Sequence, residues 1–418
     1  MPMIKLLLFL LPLSLFAQSF LISNIPIPKT YIQDLDPYEC NEACMQEFLD
    51  EGMIFSFLSH ADKKLENKEQ NEVRVISISV LNLGSNILSD NVRIAILLPY
   101  KKIGKYASST TNALFAYLIT KNRSFELKSY KIESESKEDI HLALAKIAKD
   151  GFEYVIAPLT LEGAQNIIAS NNELNIYFPT INKNDVNTTS PYLIFGGIDY
   201  QAQSDLLLKE AVSPLVIFSD KSNTGHKLAI YEEKKFTTID DLNTSHYTQA
   251  EKKVIKYYVS RRTTNLENYL DENTKIIDGS FFINTPIVKS GMIMSQLTLY
   301  DVNATNVLST QINYDPLILS MTQYNDRKDM IVANSITEHN NVLIEANSLL
   351  GNDIVYDWIN YTTTVGIDYF FSILTNDDRR YDIPLKEKQM LYKVELIQPS
   401  LSRFIKYVSS QDSSKDFQ

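Results

Sequence analysis

Residues that commonly carry chemistry are scarce in this chain of 418 residues, which has two cysteines, five histidines and one tryptophan. The histidines are scattered and form no HExxH or other metal-ligand spacing, so the sequence predicts no zinc site. No G-x-S-x-G, P-loop or G-x-G-x-x-G sequence occurs, which leaves no signature of a nucleophile or a nucleotide. We therefore predict a protein that is not an enzyme and that uses no metal or cofactor.

Positive charge is in deficit, because 40 lysines and arginines face 51 aspartates and glutamates and the net charge is -11. Such a chain is a poor partner for nucleic acid. Beyond the N-terminus no stretch approaches about 20 consecutive apolar residues, so we predict no integral membrane segment in the mature chain. With 44% hydrophobic residues the composition is that of a globular protein, and the length predicts two or three domains.

The first 19 residues have the layout of a secretory signal peptide. Lys5 precedes an apolar run that ends at Phe16, and the small residues Ala17 and Ser19 follow it. We predict cleavage after Ala17 or Ser19 and a periplasmic location. No cysteine lies at the cleavage point, so we expect no lipid anchor.

The two cysteines, Cys40 and Cys44, lie four residues apart. In an oxidising compartment a close pair favours a disulfide, and the bridge is feasible if Cys40 precedes a helix that Asn41 caps. No CxxC motif or neighbouring histidine completes a redox or metal site.

Residues 20–90 differ from the rest of the chain in their pattern of polar and apolar residues. A polar segment with several prolines precedes a predicted short amphipathic helix that contains Met45 and Phe48. A charged loop follows. In the next stretch, VRVISISVLNL, the residues Val73, Val75 and Ile76 predict a strand. The segment is either a small docking module or a belt packed on the main body.

From residue 92 onward apolar strand patterns alternate with helical patterns, which is typical of a parallel sheet. The run VRIAILL stops at Pro99, and a helix follows with Leu114 and Tyr117 on one face. Ser136 is placed to cap the next helix, and Gly151 to end it. The remaining predicted strands are FELKSYKI, YVIAPLTL, IYFPTIN, PYLIFGG, PLVIFSD, SFFINTP, VLSTQINYDP and MLYKVELI.

A break near residue 198 separates two alternating halves, which implies two lobes and a cleft. Within the second half we predict a helical run at about 250–270 that carries Lys252, Lys253 and Lys256. The predicted domains are a signal peptide at 1–19, an N-terminal helical and strand segment at 20–90, lobe 1 at 91–198, lobe 2 at 199–320, and a C-terminal part at 321–418 that returns to both lobes.

A family resemblance covers roughly residues 90–410. The motifs that carry it are, in order, VRIAILLP, YVIAPLTLEGA, FPTIN, NTTSPYLIFGGIDYQAQSDLLLKEA, FFINTPIVKSGMIMSQL, VGIDYFF and YKVELIQPSLSRF. This succession resembles type 1 periplasmic binding proteins and the related substrate-binding-like domain of the activators of penicillin-binding proteins. The resemblance implies an α/β fold of two Rossmann-like lobes with parallel sheets, joined by crossing strands.

The resemblance also implies candidate ligand-binding residues at the lobe rim. In amino-acid receptors of the family the loop matching APLTLEGA carries a Gly-Pro and a small hydroxyl residue. Thr160 occupies the hydroxyl position here, and the loop FPTIN supplies Thr180 and Asn182. Ala157 replaces the glycine, and no arginine or aspartate maps onto a ligand anchor. The three residues are therefore either ligands of a polar solute or ordinary rim residues of a closed cleft.

Modification sites form another pattern in the sequence. Three N-x-S/T sequons have an aspartate two residues before the asparagine, which resembles the acceptor of bacterial N-linked glycosylation. Their asparagines are Asn187, Asn243 and Asn303. Asn122 and Asn360 lie in sequons without that acid. The alternative is a chance match in a chain rich in Asn and Asp.

Two functions remain open at this point. The first is a non-catalytic envelope protein with a protein partner, either a regulator of peptidoglycan synthesis or an accessory part of a periplasmic assembly such as the flagellar motor. The second is a periplasmic receptor for a small polar ligand such as an amino acid or a peptide.

Overall fold

The computed structural model describes residue 32 and residues 40–61, 65–81, 92–121, 123–238 and 252–408. The predicted signal peptide and the sequon at Asn243 lie outside these residues. The chain divides into two compact units, one of residues 1–92 with 122–126 and the other of residues 93–121 with 127–418.

In the described part of the first unit, three helices surround a small apolar core: α1 Glu42–Asp50, α2 Ile54–His60 and α3 Lys68–Val80. Phe57, Leu58 and Ala61 are buried at its centre. The Asn41 side chain accepts a hydrogen bond from the backbone N–H of Cys44 at 3.0 Å, so the predicted cap is present. Cys40 and Cys44 form the predicted disulfide.

The predicted strand around Val75 is wrong, because the residues belong to α3. Val73 and Ile78 pack on the core of the first unit, whereas Val75 and Ile76 are exposed. Val73, Ile78 and Leu81 all fall on one side of a helix, so their contacts with the core outweigh the strand propensity of the β-branched side chains.

From Val92 onward a succession of strands and helices builds the first sheet. Its elements are β1 Val92–Leu98, α4 Tyr100–Ile103, α5 Tyr106–Ile119, β2 Phe125–Lys131, α6 Lys137–Lys149, β3 Tyr154–Ile156, α7 Leu161–Ala169, β4 Asn175–Phe178 and β5 Leu193–Phe195. Strands β1, β3, β4 and β5 run parallel. As predicted, the Ser136 side chain caps α6, and Gly151 follows that helix with a φ of 77°.

The chain then builds the second sheet and a third segment that supplies both sheets. The second group is α8 Tyr200–Leu207, β6 Leu215–Ser219, α9 Asn223–Thr238, β7 Val254–Tyr258, α10 Glu267–Leu270, β8 Ser280–Asn284, α11 Ile287–Leu299, β9 Asn306–Ser309, α12 Leu317–Met321, α13 Tyr324–Arg327 and β10 Met330–Asn334. The third is α14 Asn341–Leu349, α15 Trp358–Thr375, β11 Leu385–Lys386, β12 Gln389–Met390, β13 Glu395–Pro399 and β14 Phe404–Lys406.

The strand order is β11-β12-β5-β4-β3-β1-β2 in the first sheet and β14-β13-β10-β9-β8-β6-β7 in the second. We call each sheet with its helices a lobe. In lobe 1, α14 and α15 pack on α5, and α6 packs on α7. In lobe 2, α8 and α9 pack on the sheet, and α11 packs on α12 and α13. Strands such as VRIAILL are apolar at almost every position because helices cover both faces. The predicted two-lobed α/β fold is thus confirmed.

The helix predicted at about 250–270 is also wrong, since Val254–Tyr258 is a strand. It pairs in parallel with β6 and is the last strand in the second sheet's order, with Lys256 exposed and paired with Glu233. Lysine is common on edge strands. The β-branched and aromatic residues around Lys256 also favour a strand over the amphipathic helix that the sequence predicted.

Within residues 92–238 and 252–408 as described, the chain crosses between the lobes at three places. The first is between β5 and α8, the second between β10 and α14, and the third between β12 and β13. Near the third crossing the Tyr177 hydroxyl lies 2.9 Å from the hydroxyl of Thr362 and 3.2 Å from that of Tyr392. A Cβ at Gly196 or Gly366 would lie within 2.3 Å of the Tyr177 ring or hydroxyl, so both glycines are needed for this close packing.

Among the helices within the described ranges, none has the length and apolar character needed to cross a membrane.

Candidate functional site

In open α/β sheets, ligands bind to the loops at the carboxyl ends of the parallel strands. In lobe 1 these loops follow β1, β3 and β4, and they include the predicted ligand residues Thr160, Thr180 and Asn182. The structure brings the first two together, because the Thr180 hydroxyl donates to the backbone oxygen of Leu159 at 2.5 Å.

The N–H and hydroxyl groups of Thr160 donate hydrogen bonds to a carboxylate of the same chain, that of Glu135. One oxygen of Glu135 accepts a hydrogen bond from the Thr160 N–H at 2.8 Å, and the other accepts from the Thr160 hydroxyl and from the Gly163 N–H, the latter at 3.2 Å. Glu135 is only 3% exposed. Its charge lies at the N-terminus of α7, where unpaired N–H groups and the helix dipole stabilise an anion.

The space for this carboxylate depends on Gly163. A Cβ at that position would lie 2.9 Å from the Glu135 Cδ, which is closer than real Cβ contacts. The Asn166 side chain also donates to the backbone oxygen of Glu135 at 2.7 Å, which fixes the segment between β2 and α6 over the end of α7. The groups that would otherwise receive an anionic ligand at this helix end are therefore satisfied internally.

Asn182 lies on a different part of the rim. Its amide donates to the Gly197 oxygen at 3.1 Å, and its side-chain oxygen accepts from the Asn184 N–H at 2.9 Å. Gln389, near the third crossing, donates to the same Gly197 oxygen at 3.1 Å. The side chain of Asn182 thus connects the loop after β4 to the first crossing. Ligand binding by Thr160, Thr180 and Asn182 stays a prediction.

Aromatic side chains fill the junction between the lobes. Tyr314, in the loop after β9, lies 5.0 Å from Tyr356, which precedes α15, and 5.1 Å from Phe404 in β14, measured between ring centroids. Tyr314 is 8% exposed, and burial raises the pKa of its phenol. The Tyr356 ring of lobe 1 therefore packs directly on two aromatic rings of lobe 2.

Tyr106 and Tyr200 extend this junction toward the first crossing. Burial raises the pKa of Tyr200 to about 12, and the neighbouring Tyr106 adds to the effect. The pKa of Tyr106 is raised by burial and then by the negative charges of Asp357 and Asp315, one from each lobe.

One ion pair also joins the two rims. The Lys227 ammonium in α9 lies 3.7 Å from a carboxylate oxygen of Asp185, in the loop after β4. Both side chains are about half exposed, so the pair contributes little energy, but it places the N-terminal part of α9 beside that loop.

A buried polar network fixes α8 to the ends of two strands in lobe 2. Gln203 donates to the Ser335 hydroxyl at 2.7 Å and accepts from the Gln311 N–H at 2.9 Å. The Gln311 side chain accepts from the Ser335 N–H at 2.6 Å. The sequence did not predict a role for these residues or for Glu135. They are polar residues near the ends of helices and strands, and no motif marks such residues as buried.

Lobe 2 also buries a carboxyl group away from the rim. Glu232 in α9 is completely buried, and it accepts hydrogen bonds from Asn284 at 2.6 Å and Ser204 at 3.2 Å. Burial raises the pKa of Glu232 well above its usual range, although the two donors oppose the shift. No group of three or more His, Cys, Asp or Glu residues in the described part of the chain is arranged to hold a metal ion.

Solved structures similar to the chain are binding proteins of one architecture. A substrate-binding protein of an ABC transporter from Sphaerobacter thermophilus has 12% sequence identity and a TM-score of 0.56, with 77% of this chain and 97% of that one covered. The leucine-binding protein LivK from Thermotoga maritima has 13% identity and a TM-score of 0.53, with 76% and 98% covered.

Full-length LpoA from Haemophilus influenzae is also similar, with 10% identity, a TM-score of 0.51, and 88% of this chain and 72% of that one covered. No protein-family model and no curated protein sequence matches the chain. At these identities the likeness concerns the fold. The chain has the fold of the type 1 periplasmic binding proteins, in which two parallel-sheet lobes are joined by crossing segments.

Proposed function

We propose that this chain is a non-catalytic exported envelope protein that acts by binding other proteins. Regulation of peptidoglycan synthesis and a scaffold role in a periplasmic assembly such as the flagellar motor are the two roles we consider. The observation that carries the proposal is the Glu135 carboxylate, which takes up the hydrogen-bonding groups of the candidate ligand loop.

The contacts between the lobes support the same proposal. A receptor of this fold uses its ligand to stabilise the closed arrangement of the lobes. Here Tyr314, Tyr356 and Phe404 already pack across the junction, so the lobes are held together by the chain's own side chains. Direct contacts of this kind favour a fixed outer surface, which suits the binding of another protein.

The similarity of the fold to LpoA gives further support, since the sequence motifs also resemble activators of penicillin-binding proteins. The disulfide Cys40–Cys44 fits an oxidising compartment such as the periplasm. Signal peptide cleavage after Ala17 or Ser19 stays a prediction.

The second candidate function is a receptor for a small polar ligand. The observation in its favour is that Thr160 and Thr180 lie close together at the carboxyl end of the first sheet, where the fold places ligand. For this role the Glu135 carboxylate would have to be displaced.

The deciding experiment has two arms and uses the full chain. In the first arm, the melting temperature is measured with amino acids, short peptides, sugars and muropeptides. A ligand of the folded state at a hundred times its dissociation constant adds about 2.7 kcal/mol. In the second, photo-crosslinking residues replace exposed apolar side chains of each lobe in cells, at Leu142 in α6 and Val288 in α11.

A protein crosslinked at one of these positions and not at the other, together with no thermal shift, would support our proposal and identify the partner. A reproducible thermal shift with a single solute class and no crosslinked protein would refute it and establish the receptor.

A further inference from the structure

The asparagines of N-x-S/T sequons differ sharply in their surroundings. Within the described ranges they are Asn187, Asn303 and Asn360, while Asn122 and Asn243 lie outside. Asn187 and Asn303 have nearly identical local sequences, DVNTT and DVNAT, so a transferase that reads five residues cannot tell them apart by sequence. Any preference between these two sites must come from the fold.

Asn187 lies in an open loop between the turn Lys183–Asp185 and β5. The asparagine is exposed, and residues 187–190 have no helix, strand or turn. The hydrogen bonds of the following residue, Thr188, are made to Lys183 and Ser190, both within the same loop. Lifting this segment off the protein surface therefore costs mainly the packing of Val186 on the lobe 1 core and the exposed ion pair of Asp185 with Lys227.

Asn303 is held on the surface of lobe 2. Its amide donates to the Asp278 carboxylate at 2.5 Å, and its backbone oxygen accepts from the Asp278 N–H at 2.8 Å. Thr305, the hydroxyl residue of the same sequon, donates its hydroxyl to the Asp278 oxygen at 2.7 Å and its N–H to the Gly279 oxygen at 3.0 Å. Four hydrogen bonds thus hold the residues that a transferase must enclose.

Asn360 is inaccessible in the folded chain. It lies in the first turn of α15 with 3% of its surface exposed, and its amide donates to the Asp353 oxygen at 3.1 Å. The residue two positions before it is Trp358, so the acid of the other sequons is also missing.

We propose that Asn187 is a glycan acceptor of the folded protein and that Asn303, despite its matching sequence, is not. The donor is an oligosaccharide linked through pyrophosphate to a polyisoprenoid lipid. The Asn187 amide nitrogen bonds to C1 of the first sugar, the bond between C1 and the pyrophosphate oxygen breaks, and the amide gives up one proton. The lipid pyrophosphate leaves with the bonding electrons.

The fold sets this preference because a transferase must surround the asparagine and the residues on both sides of it. A loop with few outside contacts can leave the surface at low cost, whereas local opening of a pinned segment is unfavourable. Each hydrogen bond contributes on the order of a fivefold factor to such an equilibrium, so four bonds make Asn303 slower than Asn187 by roughly a hundredfold or more.

The test uses the full folded chain with Asn243→Gln, which removes the third acidic sequon. The chain is incubated with a bacterial oligosaccharyltransferase of the acid-requiring type and its lipid-linked donor. Intact mass and glycopeptide mapping then give the rate at each asparagine. Synthetic peptides of residues 183–191 and 299–307 measure the preference of the sequences without the fold.

We expect one glycan on the folded chain, on Asn187, and similar rates for the two peptides. Asn187→Gln should abolish the modification, and Asn303→Gln should leave it unchanged. Asp185→Asn should lower it strongly, whereas Lys227→Ala, which breaks the same ion pair but keeps the acid, should not. The proposal is overturned if Asn303 is modified as fast as Asn187, or if the folded chain stays unmodified while the peptide 183–191 is modified.

Discussion

Removal of the Glu135 carboxylate should destabilise lobe 1 and expose an anion site at the N-terminus of α7. Three hydrogen bonds would be lost in Glu135→Ala, two from backbone N–H groups and one from the Thr160 hydroxyl. Hydrogen bonds to a charged group contribute about 1.5–3 kcal/mol each, but water can reach part of the rim and replace them in the variant. We therefore expect a loss of about 3 kcal/mol in the free energy of unfolding.

Thermal unfolding followed by circular dichroism measures this loss. For a cooperative unit of the size of lobe 1, a change of 1 kcal/mol shifts the melting temperature by roughly 2–4 °C, so the transition of lobe 1 should fall by about 6–12 °C. Glu135→Gln is the matched control, because it keeps the volume and one acceptor oxygen and loses the charge. It should lose about half as much as the alanine variant.

Added acetate distinguishes an anion site from a general packing defect. If acetate binds the emptied site with a dissociation constant of about 10 mM, then 100 mM acetate restores about 1.4 kcal/mol to Glu135→Ala. It should not affect the natural chain, whose site is already filled. A variant that melts at the natural temperature would refute this account of the rim, as would acetate that stabilises both chains equally.

Three other substitutions test buried groups and the junction. Glu232→Gln should stabilise the chain at neutral pH. Burial raises the pKa of Glu232 in the folded chain, so the natural chain loses stability as the pH rises from the unfolded pKa toward the folded pKa. Urea unfolding of the variant at a series of pH values should lack this decline. Asp368→Asn should cost about 3 kcal/mol in urea unfolding, because that buried carboxylate accepts from the Tyr117 hydroxyl and the Arg380 backbone N–H and pairs with the Arg379 guanidinium, whereas Tyr117→Phe should cost about 1 kcal/mol. Tyr356→Ala should weaken the contact between the lobes by about 2 kcal/mol and raise the radius of gyration in X-ray scattering, and an unchanged radius would contradict the assigned role of this ring.

Much of the fold was predictable because its signals are local. The apolar run VRIAILL ending at Pro99 marks a buried parallel strand, and Asn41 and Ser136 cap the helices that follow them. The errors occur where a local pattern is ambiguous. Val75 and Tyr257 both lie in short stretches rich in β-branched or aromatic residues, and only packing decides that the first is helical and the second is in a strand.

The candidate site was less predictable because it depends on contacts between distant residues. The resemblance pointed to Thr160, but its partner Glu135 lies 25 residues earlier in a polar segment with no distinguishing motif. The phenol of Tyr356 meets Tyr314 only after the chain has crossed between the lobes. Sequence periodicity carries no information about such pairings, which the strand order fixes.

The tethered carboxylate has a consequence for any solute that competes for the rim. Because Glu135 belongs to the same chain, its carboxylate acts at an effective concentration in the millimolar range or above. A free solute that competes with Glu135 must exceed that concentration or bind the rim far more tightly. Glu135 also has a buried position and three donors already aligned, which a free carboxylate would need to reproduce after displacing it. A solute at micromolar concentration that binds no more tightly than an ordinary carboxylate would therefore leave the rim unchanged.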